Sequence, residues 1–350
     1  MMEGIKQPRW KEPEYSRRQI NNAGQTIRNP NSTVEDICEA LKIIDNWRAA
    51  HAYPLHVFYI NLRQKAGSHS DIIVAERLKR LDSIIIKLQN ESSMELYRMQ
   101  DLGGCRMVCP TLEDVYKYSE EYINSRIRHE LKKKTDYIQS PKASGYRSLH
   151  LIYRFRSDKP EKEIYNRYPM LIELQFRTHL QHIWATAVET MGLFTKENIK
   201  SGYGSDDVKR FFVLTSALFA KIENQPLPPN VVDDINEIVH EIEALNSKHN
   251  YLDFLSGIRV AVKSPKNKTN IAYCILILNY SKKTLQIKGF NASQIEEANE
   301  IYNSIEASRE ESKIDAVLVR VSSINNLKKA YPNYFSDIGE FVKLVKSYLG

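Results

Sequence analysis

The sequence has few cysteines, no long apolar run and no apolar segment near its basic N-terminus. Its four cysteines include no Cys-x-x-Cys pair, and structural zinc sites usually need such close pairs. A membrane-spanning helix needs about 20 apolar residues, and a secretory signal needs an apolar core. These absences favour a cytoplasmic protein with free thiols and no membrane association.

Basic residues outnumber acidic ones. The 350 residues include 50 Lys and Arg against 43 Asp and Glu, a formal net charge of +7. This surplus favours an anionic partner such as a nucleotide, a nucleic acid or an acidic protein, and a solvated lysine-rich surface is the alternative. The hydrophobic fraction of 42% is ordinary for a globular protein, and the length predicts two domains.

Hydrophobic periodicity predicts strands interleaved with helices in the first part of the chain. Residues 1–14 have no periodicity and are expected to form a loose arm. Strands alternating with helices are typical of an α/β layer. The predicted helices span residues 33–47, 71–90, 112–124, 180–194 and 206–222, and the predicted strands span residues 105–108, 148–156 and 170–177.

A proline-rich break at residues 226–229 separates this part from the rest of the chain. After it, the pattern predicts a connecting helix at about 231–249 and then a β-β-α-β-α unit. The elements of that unit are strands at 273–278 and 284–288, a charged helix at about 292–310, a strand at 316–321 and a last helix that ends at Leu349. The predicted boundaries are residues 1–225 for a first domain, 226–255 for a connecting helix and 256–350 for a second small domain.

The predicted strand at residues 170–177 has an apolar face and a polar face. Successive side chains of a strand point to opposite faces, so Glu173, Gln175 and Arg177 share the polar one. An acid, an amide and a guanidinium in a row suit a metal, a hydroxyl and a phosphate, and a solvated outer face is the alternative. Asp101 precedes another strand and could share Mg²⁺ with Glu173, because Mg²⁺ prefers one or two carboxylates plus phosphate oxygens. A turn or cap role is the alternative for Asp101.

A polar and basic stripe precedes Asp101. Lys79, Ser83 and Lys87 are spaced at i, i+4 and i+8, which places them on one face of the predicted helix at 71–90. Neighbouring cations repel each other, so the stripe would gain from a polyanion such as a triphosphate. A solvated helix face is the alternative.

Residues 135–150 concentrate the most informative polar side chains of the chain. They combine a Pro-Lys turn, a glycine and the aromatic Tyr146 with Lys142, Arg147 and His150, which can bind anions or bases. Alone this segment is a polar loop. Together with Asp101 and Glu173 it suits the transfer of a phosphorylated group.

In combination, these segments resemble the synthetase domain of the RelA/SpoT family, which transfers pyrophosphate from ATP to a 3′-hydroxyl. The resemblance implies an α/β (α+β) fold, a mixed β-sheet flanked by helices of the nucleotidyltransferase-like type, with the site on one sheet face. The matching blocks are Arg77–Lys87, Asp101–Arg106, Asp136–His150, Glu173–Thr178 and the next helix with His182 and Trp184.

The resemblance also implies roles on the ATP side. Arg77 and Arg106 would hold the adenine between their guanidinium planes. Asp101 and Glu173 would hold Mg²⁺. The residues expected to bind the phosphates of ATP are Lys79, Ser83 and Lys87.

On the acceptor side, Tyr146 would stack on the acceptor base, and Glu173 could take the proton from the 3′-hydroxyl. Gln175 and Arg177 would orient the acceptor and the phosphates. The other residues expected to bind the acceptor are Lys142, Arg147 and His150.

Two positions depart from the family pattern. Thr135 stands where a lysine usually precedes Asp-Tyr-Ile, and Ser144 stands where an asparagine usually precedes Gly-Tyr. The loss of a fixed lysine weakens the case for GDP or GTP and favours the 3′-CCA adenosine of tRNA as acceptor. The tRNA phosphates would meet basic residues, namely Arg17, Arg18, Arg126, Arg128 and Lys132–Lys134.

Further segments resemble a fused toxin–antitoxin branch of the family called CapRel, in which a toxic tRNA-pyrophosphorylating domain precedes a zinc-finger-like domain without zinc ligands. Only Cys274 follows Cys109, which fits that loss. In this branch a Tyr-x-x-Tyr motif covers the ATP site, and Tyr331 and Tyr334 match it; a packed pair at a helix start is the alternative. The matching segments are Tyr15–Arg18, Asn46–Arg48, Tyr53–Leu55 and Trp184–Phe194.

Three hypotheses follow. The first is a self-inhibited tRNA pyrophosphokinase that inhibits translation in phage defence and is released when a phage protein such as capsid binds residues 256–350. The second is a metabolic synthetase of (p)ppGpp or (p)ppApp whose C-terminal domain senses a ligand or oligomerises. The third is an inactive nucleic-acid-binding protein, and the intact pair Asp101 and Glu173 speaks against it.

Overall fold

The computed structural model describes most of the chain. It covers residues 10–69, 71–195, 205–257, 261–263, 271–279, 284–307, 314–320 and 338–349, together with Lys282, Leu327 and Tyr331. The helices are α1 (Arg17–Arg28), α2 (Val34–Ala50), α3 (Ala52–Ala66), α4 (Leu81–Asn90), α5 (Leu112–Ile123), α6 (His179–Thr195), α7 (Asp206–Ile222), α8 (Ile235–His249), α9 (Tyr251–Gly257), α10 (Ile295–Ala307) and α11 (Gly339–Lys346). Short 3₁₀ turns lie at Leu96–Arg98, Pro160–Arg167 and Ala292–Gln294.

The strands form one sheet. They are β1 (Ile73–Leu78), β2 (Gly103–Cys109), β3 (Glu130–Asp136), β4 (Leu149–Arg154), β5 (Leu171–Thr178), β6 (Ala261–Lys263), β7 (Tyr273–Asn279), β8 (Thr284–Phe290) and β9 (Ile314–Arg320). Their order across the sheet is β3-β4-β5-β2-β1-β9-β7-β8-β6. The β2–β5 and β6–β8 pairs are parallel and the other pairs are antiparallel. The predicted mixed sheet flanked by helices is confirmed.

Short polar side chains fix where several helices begin. Ser16 accepts a hydrogen bond from the backbone of Gln19 at the start of α1, and Thr33 does the same for Asp36 at the start of α2. Both are capping boxes, which satisfy backbone N–H groups that have no partner inside the helix. The caps therefore set the positions from which α1 and α2 cover the sheet.

The apolar residues of the first five helices form the main core with one sheet face. The inward side chains of β5, among them Leu174 and Phe176, pack there with Trp47 and Phe58 of α2 and α3. Because side chains alternate along a strand, Glu173, Gln175 and Arg177 are left on the opposite face. The core thus presents the polar residues of β5 away from α1–α5.

The C-terminal strands continue the sheet of the first domain. Strand β9 pairs with β1 through Arg77 and Val319. The predicted hairpin at 273–288, the charged helix and the following strand correspond to β7, β8, α10 and β9. The sheet therefore runs without interruption from the first predicted domain into the second.

The last helix packs away from the β7–β9 strands. Phe341 of α11 contacts Phe212 and Phe219 of α7, with ring centroids 6.1 and 5.8 Å apart. Its apolar residues join the core formed by α6, α7, α8 and α9. The elements of the predicted β-β-α-β-α unit therefore occur in the predicted order along the chain. The last helix, however, packs with α6–α9 and not with the strands of that unit.

The predicted helix at residues 71–90 is wrong in its first half. Residues Ile73–Leu78 form β1, which pairs with β2, and α4 begins only at Leu81. The β-branched Ile73 and Val74 favour a strand, and burial between β2 and β9 outweighs the i, i+4 spacing further along. Sequence periodicity also missed α1, α3 and β3.

No helix among the described residues is both long and apolar enough to cross a bilayer.

Candidate active site

A cavity of about 160 Å³ lies on the polar face of the sheet. Strands β1, β2 and β5 form its floor, and α4 and the preceding turn form one wall. The predicted residues that line it are Arg77, Lys79, Ser83, Asp101, Arg106, Glu173, Gln175 and Tyr331. The strand–turn–helix from β1 to α4 thus brings together the residues that the sequence placed on a single helix.

Asp101 is held by two lysines. Lys79 donates to Oδ2 at 2.8 Å and Lys87 donates to Oδ1 at 3.2 Å. Burial alone would raise the pKa of Asp101, but the two ammonium groups outweigh it and lower the pKa to about 2. Asp101 is therefore a carboxylate at neutral pH.

Glu173 is the end of a chain of three polar side chains. His150 bonds to Glu173 Oε1 through Nδ1 at 2.8 Å, and its Nε2 lies 2.8 Å from the hydroxyl of Tyr146. Burial opposes the charge on each group. Even so, Tyr146 and Glu173 together raise the pKa of His150 to about 9, and His150 lowers the pKa of both partners. A charged imidazole thus links the two residues predicted for the acceptor and its hydroxyl.

The remaining polar residues of β5 continue this network. Gln175 donates to Glu173 Oε2 at 2.7 Å, and Arg177 donates to the side-chain oxygen of Gln175. Burial and the neighbouring guanidinium groups of Arg177 and Arg77 lower the pKa of Arg106 to about 9. The cavity floor is therefore rich in cationic donors suited to an anionic ligand.

The loop between β3 and β4 carries Lys142 and Tyr146 next to this network. The ammonium group of Lys142 lies 4.5 Å from the ring centre of Tyr137 and 5.4 Å from that of Tyr146. Gly145 has a φ of +83°, a left-handed conformation that favours glycine. Ser216 of α7 donates to the carbonyl of Gly145 at 2.5 Å, so α7 fixes the turn that presents Tyr146.

Arg147 does not join the acceptor residues. Its guanidinium is buried and donates to Glu223 at 2.7 Å and to Ser216 at 3.3 Å. Its side chain therefore points toward α7, to which Ser216 belongs, and the nearby Glu223. The expectation that Arg147 contacts the acceptor is therefore corrected, because its polar group is used inside the fold.

Two acidic residues that sequence reasoning missed also contact the site or its supports. Glu189 of α6 lies 3.6 Å from Arg77 and 3.9 Å from Arg80. It is the only charged residue between Ile183 and Phe194, a signal that could have singled it out. Glu223 accepts hydrogen bonds from Arg147, Thr178 and Gln181, and no local pattern marks it.

Tyr331 reaches the same cavity from the C-terminal part of the chain. It is only 2% exposed, and its hydroxyl donates to the backbone carbonyl of Glu76 at 2.7 Å. Arg106 and Arg77 lie close enough to act on its charge. Tyr334, the second tyrosine predicted to cover the ATP site, lies outside the described residues.

The carboxylates suit a magnesium ion that a phosphate would complete. Asp101 and Glu173 line one cavity and are close enough to influence each other's charge. No group of three or more His, Cys, Asp or Glu able to hold a metal occurs in the described ranges. Two carboxylates with free space for phosphate oxygens match the preference of Mg²⁺, whereas a closed all-protein metal site does not fit.

The region that forms most of this cavity matches a known protein family. Residues 76–198 match the family described as "Region found in RelA / SpoT proteins". This part of the chain is similar to RelA/SpoT proteins. All of the predicted residues in the cavity except Tyr331 lie within that RelA/SpoT match.

Curated relatives of the RelA/SpoT domain are similar over part of their length. The chain is 32% identical over 143 residues to GTP pyrophosphokinase YjbM of Bacillus subtilis, which covers 39% of this chain and 64% of the relative. It is 32% identical over 118 residues to GTP pyrophosphokinase YwaC of the same organism, covering 31% of this chain and 52% of the relative. The chain thus spans about half to two thirds of the length of these relatives.

Among solved structures, the small alarmone synthetase 1 of Bacillus subtilis bound to its product pppGpp is similar with a TM-score of 0.40 and 24% identity, covering 50% of this chain and 89% of that one. A GTP pyrophosphokinase family protein from Streptococcus pneumoniae has a TM-score of 0.41 and 22% identity, covering 56% of this chain and 92% of that one.

Proposed function

We propose that the chain is a pyrophosphokinase that uses ATP as donor and a ribose 3′-hydroxyl as acceptor. The observation that carries this proposal is the placement of Asp101 and Glu173 in one cavity that four cationic side chains also line, within the RelA/SpoT match. The relatives are named GTP pyrophosphokinases, and this supports the same reaction class. Mg²⁺, held by Asp101 and Glu173, would offset charge on the transferred phosphates.

The side chains of the cavity suit the two halves of the reaction. The bond between the α-phosphate and the β-phosphate of ATP breaks, AMP leaves, and a bond forms between the acceptor 3′-oxygen and the β-phosphorus. Glu173 takes the proton of the acceptor hydroxyl, because its carboxylate is kept ionised by His150. Lys79, Ser83 and Lys87 bind the phosphates, and Arg77 and Arg106 hold the adenine.

We further propose that the acceptor is the 3′-terminal CCA adenosine of tRNA. Thr135 pairs with His150 across β3 and β4, so an uncharged side chain stands beside the acceptor network where the family has a lysine. Tyr146 supplies a stacking surface that any base can use. The negative charge of the acceptor's phosphates must then be neutralised by cations elsewhere on the protein. A polynucleotide suits this arrangement, because its phosphates extend away from the reacting nucleoside.

The alternative acceptor is a free nucleotide, which would make the protein a (p)ppGpp or (p)ppApp synthetase. The names of the two Bacillus subtilis relatives favour this alternative. Lys142, which lies over Tyr137 and Tyr146, could supply the cation that Thr135 does not.

A labelling experiment separates these acceptors. The full chain and its Tyr331→Ala variant, in which the cavity is free of that ring, are each incubated with [γ-³²P]ATP, Mg²⁺ and either total tRNA, GDP, GTP or ATP alone, and the products are resolved by gel and thin-layer chromatography. Label on tRNA is the expected result, and label only on a free nucleotide would sink the tRNA proposal. Asp101→Asn and Glu173→Gln serve as inactive variants, and Glu163→Gln, which is exposed, serves as the matched control.

The C-terminal part is proposed to inhibit the site in the resting protein. Tyr331 lines the cavity together with Arg77 and Arg106, the pair assigned to adenine, so its aromatic ring competes for the same guanidinium planes. A protein partner that binds residues 256–350 and withdraws Tyr331 would start the reaction. We propose that this partner is a phage protein such as capsid. The released enzyme would then inhibit translation, and its role would be phage defence.

The biological part has a direct test. Bacteria carrying the gene on an inducible plasmid are challenged with a panel of phages, and growth, translation and tRNA labelling are followed. Protection that requires Glu173 supports the defence role. Equal phage yield with the wild type and with Glu173→Gln across the panel contradicts it.

A further inference from the structure

Glu189 of α6 lies against two arginines of the cavity. Its Oε1 lies 3.6 Å from a guanidinium nitrogen of Arg77 and 3.9 Å from one of Arg80, and only 11% of the Glu189 side chain is exposed. Arg77 belongs to β1, and Arg80 directly precedes α4 and also lines the cavity. One carboxylate therefore joins α6 to the strand and to the helix start on the ATP side.

Arg77 and Arg106 lie on the same face of the sheet at a spacing that suits a flat ring. In the antiparallel β1–β2 ladder, Arg106 pairs with Ala75, two residues before Arg77. Diagonal neighbours on one face of such a pair are about 7–8 Å apart. A ring held midway would lie about 3.5–4.0 Å from each side chain, which is the optimal contact distance. Adenine can therefore be held between the two arginines only while both keep this spacing.

The charges of the cavity floor work against that spacing, because neighbouring guanidinium groups repel each other. Burial and the charges of Arg177 and Arg77 lower the pKa of Arg106 to about 9, and Glu189 acts in the opposite direction. The side chain of Arg77 is 30% exposed, so it has room to turn toward solvent. Glu189 is the anion that opposes this movement.

The carboxylate of Glu189 is not what stability alone would select at this position. Neighbouring residues of α6 are apolar and buried, among them Ala185, Val188 and Met191. Removing a charge from water is costly, and a buried ion pair often adds no net stability compared with well-packed apolar side chains. The presence of an acid here points to a role in placing its cationic partners.

We propose that Glu189 is a positioning residue for the donor nucleotide, which holds the Arg77 guanidinium at the place and spacing that adenine needs. This inference rests on the proposed function, because it assumes that Arg77 and Arg106 hold adenine. Glu189 acts through Arg77 and not on the reacting phosphates. When Tyr331 leaves the cavity, the carboxylate keeps Arg77 in place, so that the released site is ready for ATP.

The sign of the effect separates positioning from electrostatics alone. Glu189 is an anion close to a site proposed for a triphosphate, so the loss of its charge would by itself tighten the binding of ATP. The loss of positioning has the opposite effect, because the adenine ring then loses one of its two cationic contacts. Weaker binding of ATP by a protein that lacks this negative charge would therefore identify positioning.

Steady-state kinetics of the full chain measure the effect, with Tyr331→Ala as background so that its ring does not compete with ATP. In this background Glu189→Gln should raise KM for ATP about tenfold and leave kcat and the acceptor KM within about twofold. Glu189→Asp keeps the charge on a shorter side chain and should lie between the two. Glu237→Gln, at an exposed position of α8, is the control. An unchanged or lower KM for ATP in Glu189→Gln overturns the proposal.

A double-mutant cycle tests whether Glu189 acts through Arg77. If it does, adding Glu189→Gln to an Arg77→Gln protein should raise KM for ATP no further. Increases that multiply would show that Glu189 acts elsewhere, and the proposal would be lost. If Glu189→Gln does not melt cooperatively, Glu189→Asp takes its place in the same cycle.

Binding without transfer separates this inference from the proposed function. The proteins are titrated by calorimetry with α,β-methylene-ATP, which cannot transfer pyrophosphate, and with inorganic tripolyphosphate, which has no adenine. Glu189→Gln should bind the ATP analogue about tenfold more weakly and should not bind tripolyphosphate more weakly. If this pattern appears but no acceptor is labelled, the proposed reaction is lost and the role of Glu189 stands. If acceptors are labelled and both proteins bind the analogue equally, only the role of Glu189 is lost.

Discussion

The hydroxyl of Tyr331 donates a 2.7 Å hydrogen bond to the backbone carbonyl of Glu76, the residue next to Arg77 in β1. Arg77 also pairs with Val319 of β9, so two segments from the C-terminal part of the chain contact β1 beside the cavity. Tyr331 thus lines the same cavity as Arg77, the residue proposed to hold adenine.

Replacement of Tyr331 tests the inhibitory contact. Tyr331→Ala should raise pyrophosphate transfer at limiting ATP at least about tenfold, because adenine no longer competes with the ring for Arg77 and Arg106. Tyr331→Phe keeps the ring and loses one hydrogen bond of about 1 kcal/mol, so its gain should be smaller. Initial rates against ATP concentration measure both, with the exposed Tyr348→Ala as control.

Lower activity in a Tyr331→Ala protein that still melts cooperatively would mean that the C-terminal segment supports the active conformation. Deletion of residues 256–350 is a weaker test of inhibition, because it also removes Phe341 from the core of α6 and α7. The point substitution changes the cavity with less damage elsewhere.

The acceptor role of Tyr146 predicts a difference between two substitutions. Base stacking on an aromatic ring contributes about 1–3 kcal/mol, so Tyr146→Ala should raise KM for the acceptor or lower kcat/KM by about 5–150-fold. It should also abolish toxicity in cells. Tyr146→Phe keeps the ring, loses the contact with His150 and should be affected less. Equal activity of the alanine variant and the wild type would remove Tyr146 from the acceptor site.

The buried pair Arg147 and Glu223 predicts a stability effect. Removal of one partner of a buried ion pair costs about 3–5 kcal/mol, because the other charge stays buried and unpaired. Glu223→Gln should therefore lower the melting temperature measured by calorimetry, while the exposed Glu163→Gln should not. Replacement of both partners by methionine should be milder than either single change. An unchanged melting temperature for Glu223→Gln would show that the pair is not needed to hold the loop.

The buried carboxyl of Glu76 predicts a pH dependence of stability. Burial raises the pKa of Glu76 to about 8, partly offset by Arg320. The folded state therefore prefers the protonated carboxyl of Glu76. The contribution of this group to stability is complete below about pH 4.5 and is lost as pH rises through 8. Between these limits the unfolding free energy should fall by on the order of 5 kcal/mol.

Urea unfolding of the wild type and of Glu76→Gln from pH 5 to pH 9 measures this term. The difference between the two proteins should shift in favour of the glutamine variant as pH rises. Glu91→Gln, at an exposed position, should follow the wild type at every pH. Parallel curves for the wild type and Glu76→Gln would contradict the assignment.

Local periodicity predicted the elements that are regular and half-buried. Strand β5 alternates apolar and polar residues, and its two faces are those of the structure. The segment before Asp101 was misread, because the i, i+4 spacing of Lys79, Ser83 and Lys87 also fits a turn followed by a helix. Lys79 and Ser83 still line one cavity, and Lys87 donates to Asp101 of the same cavity, since the strand and the helix share a single short turn.

Local sequence patterns could not predict the contacts between distant parts of the chain. Glu223 meets Arg147 across 76 residues, and β9 meets β1 across more than 200. In neither pair does the sequence of one member identify the other, because many residues could neutralise a buried charge and many strands could pair with a free strand edge. The direction of the Arg147 side chain could not be predicted for the same reason, because it depends on where α7 packs against the loop.

The place of α11 has a consequence for the order in which the protein is made. This helix completes the core of α6 and α7, and it follows Tyr331 in the chain. Tyr331 therefore leaves the ribosome before α11, which that core requires. On the proposed function, a growing chain has no stage at which its core is complete and Tyr331 is still missing, so synthesis of the enzyme does not expose the cell to an uninhibited form.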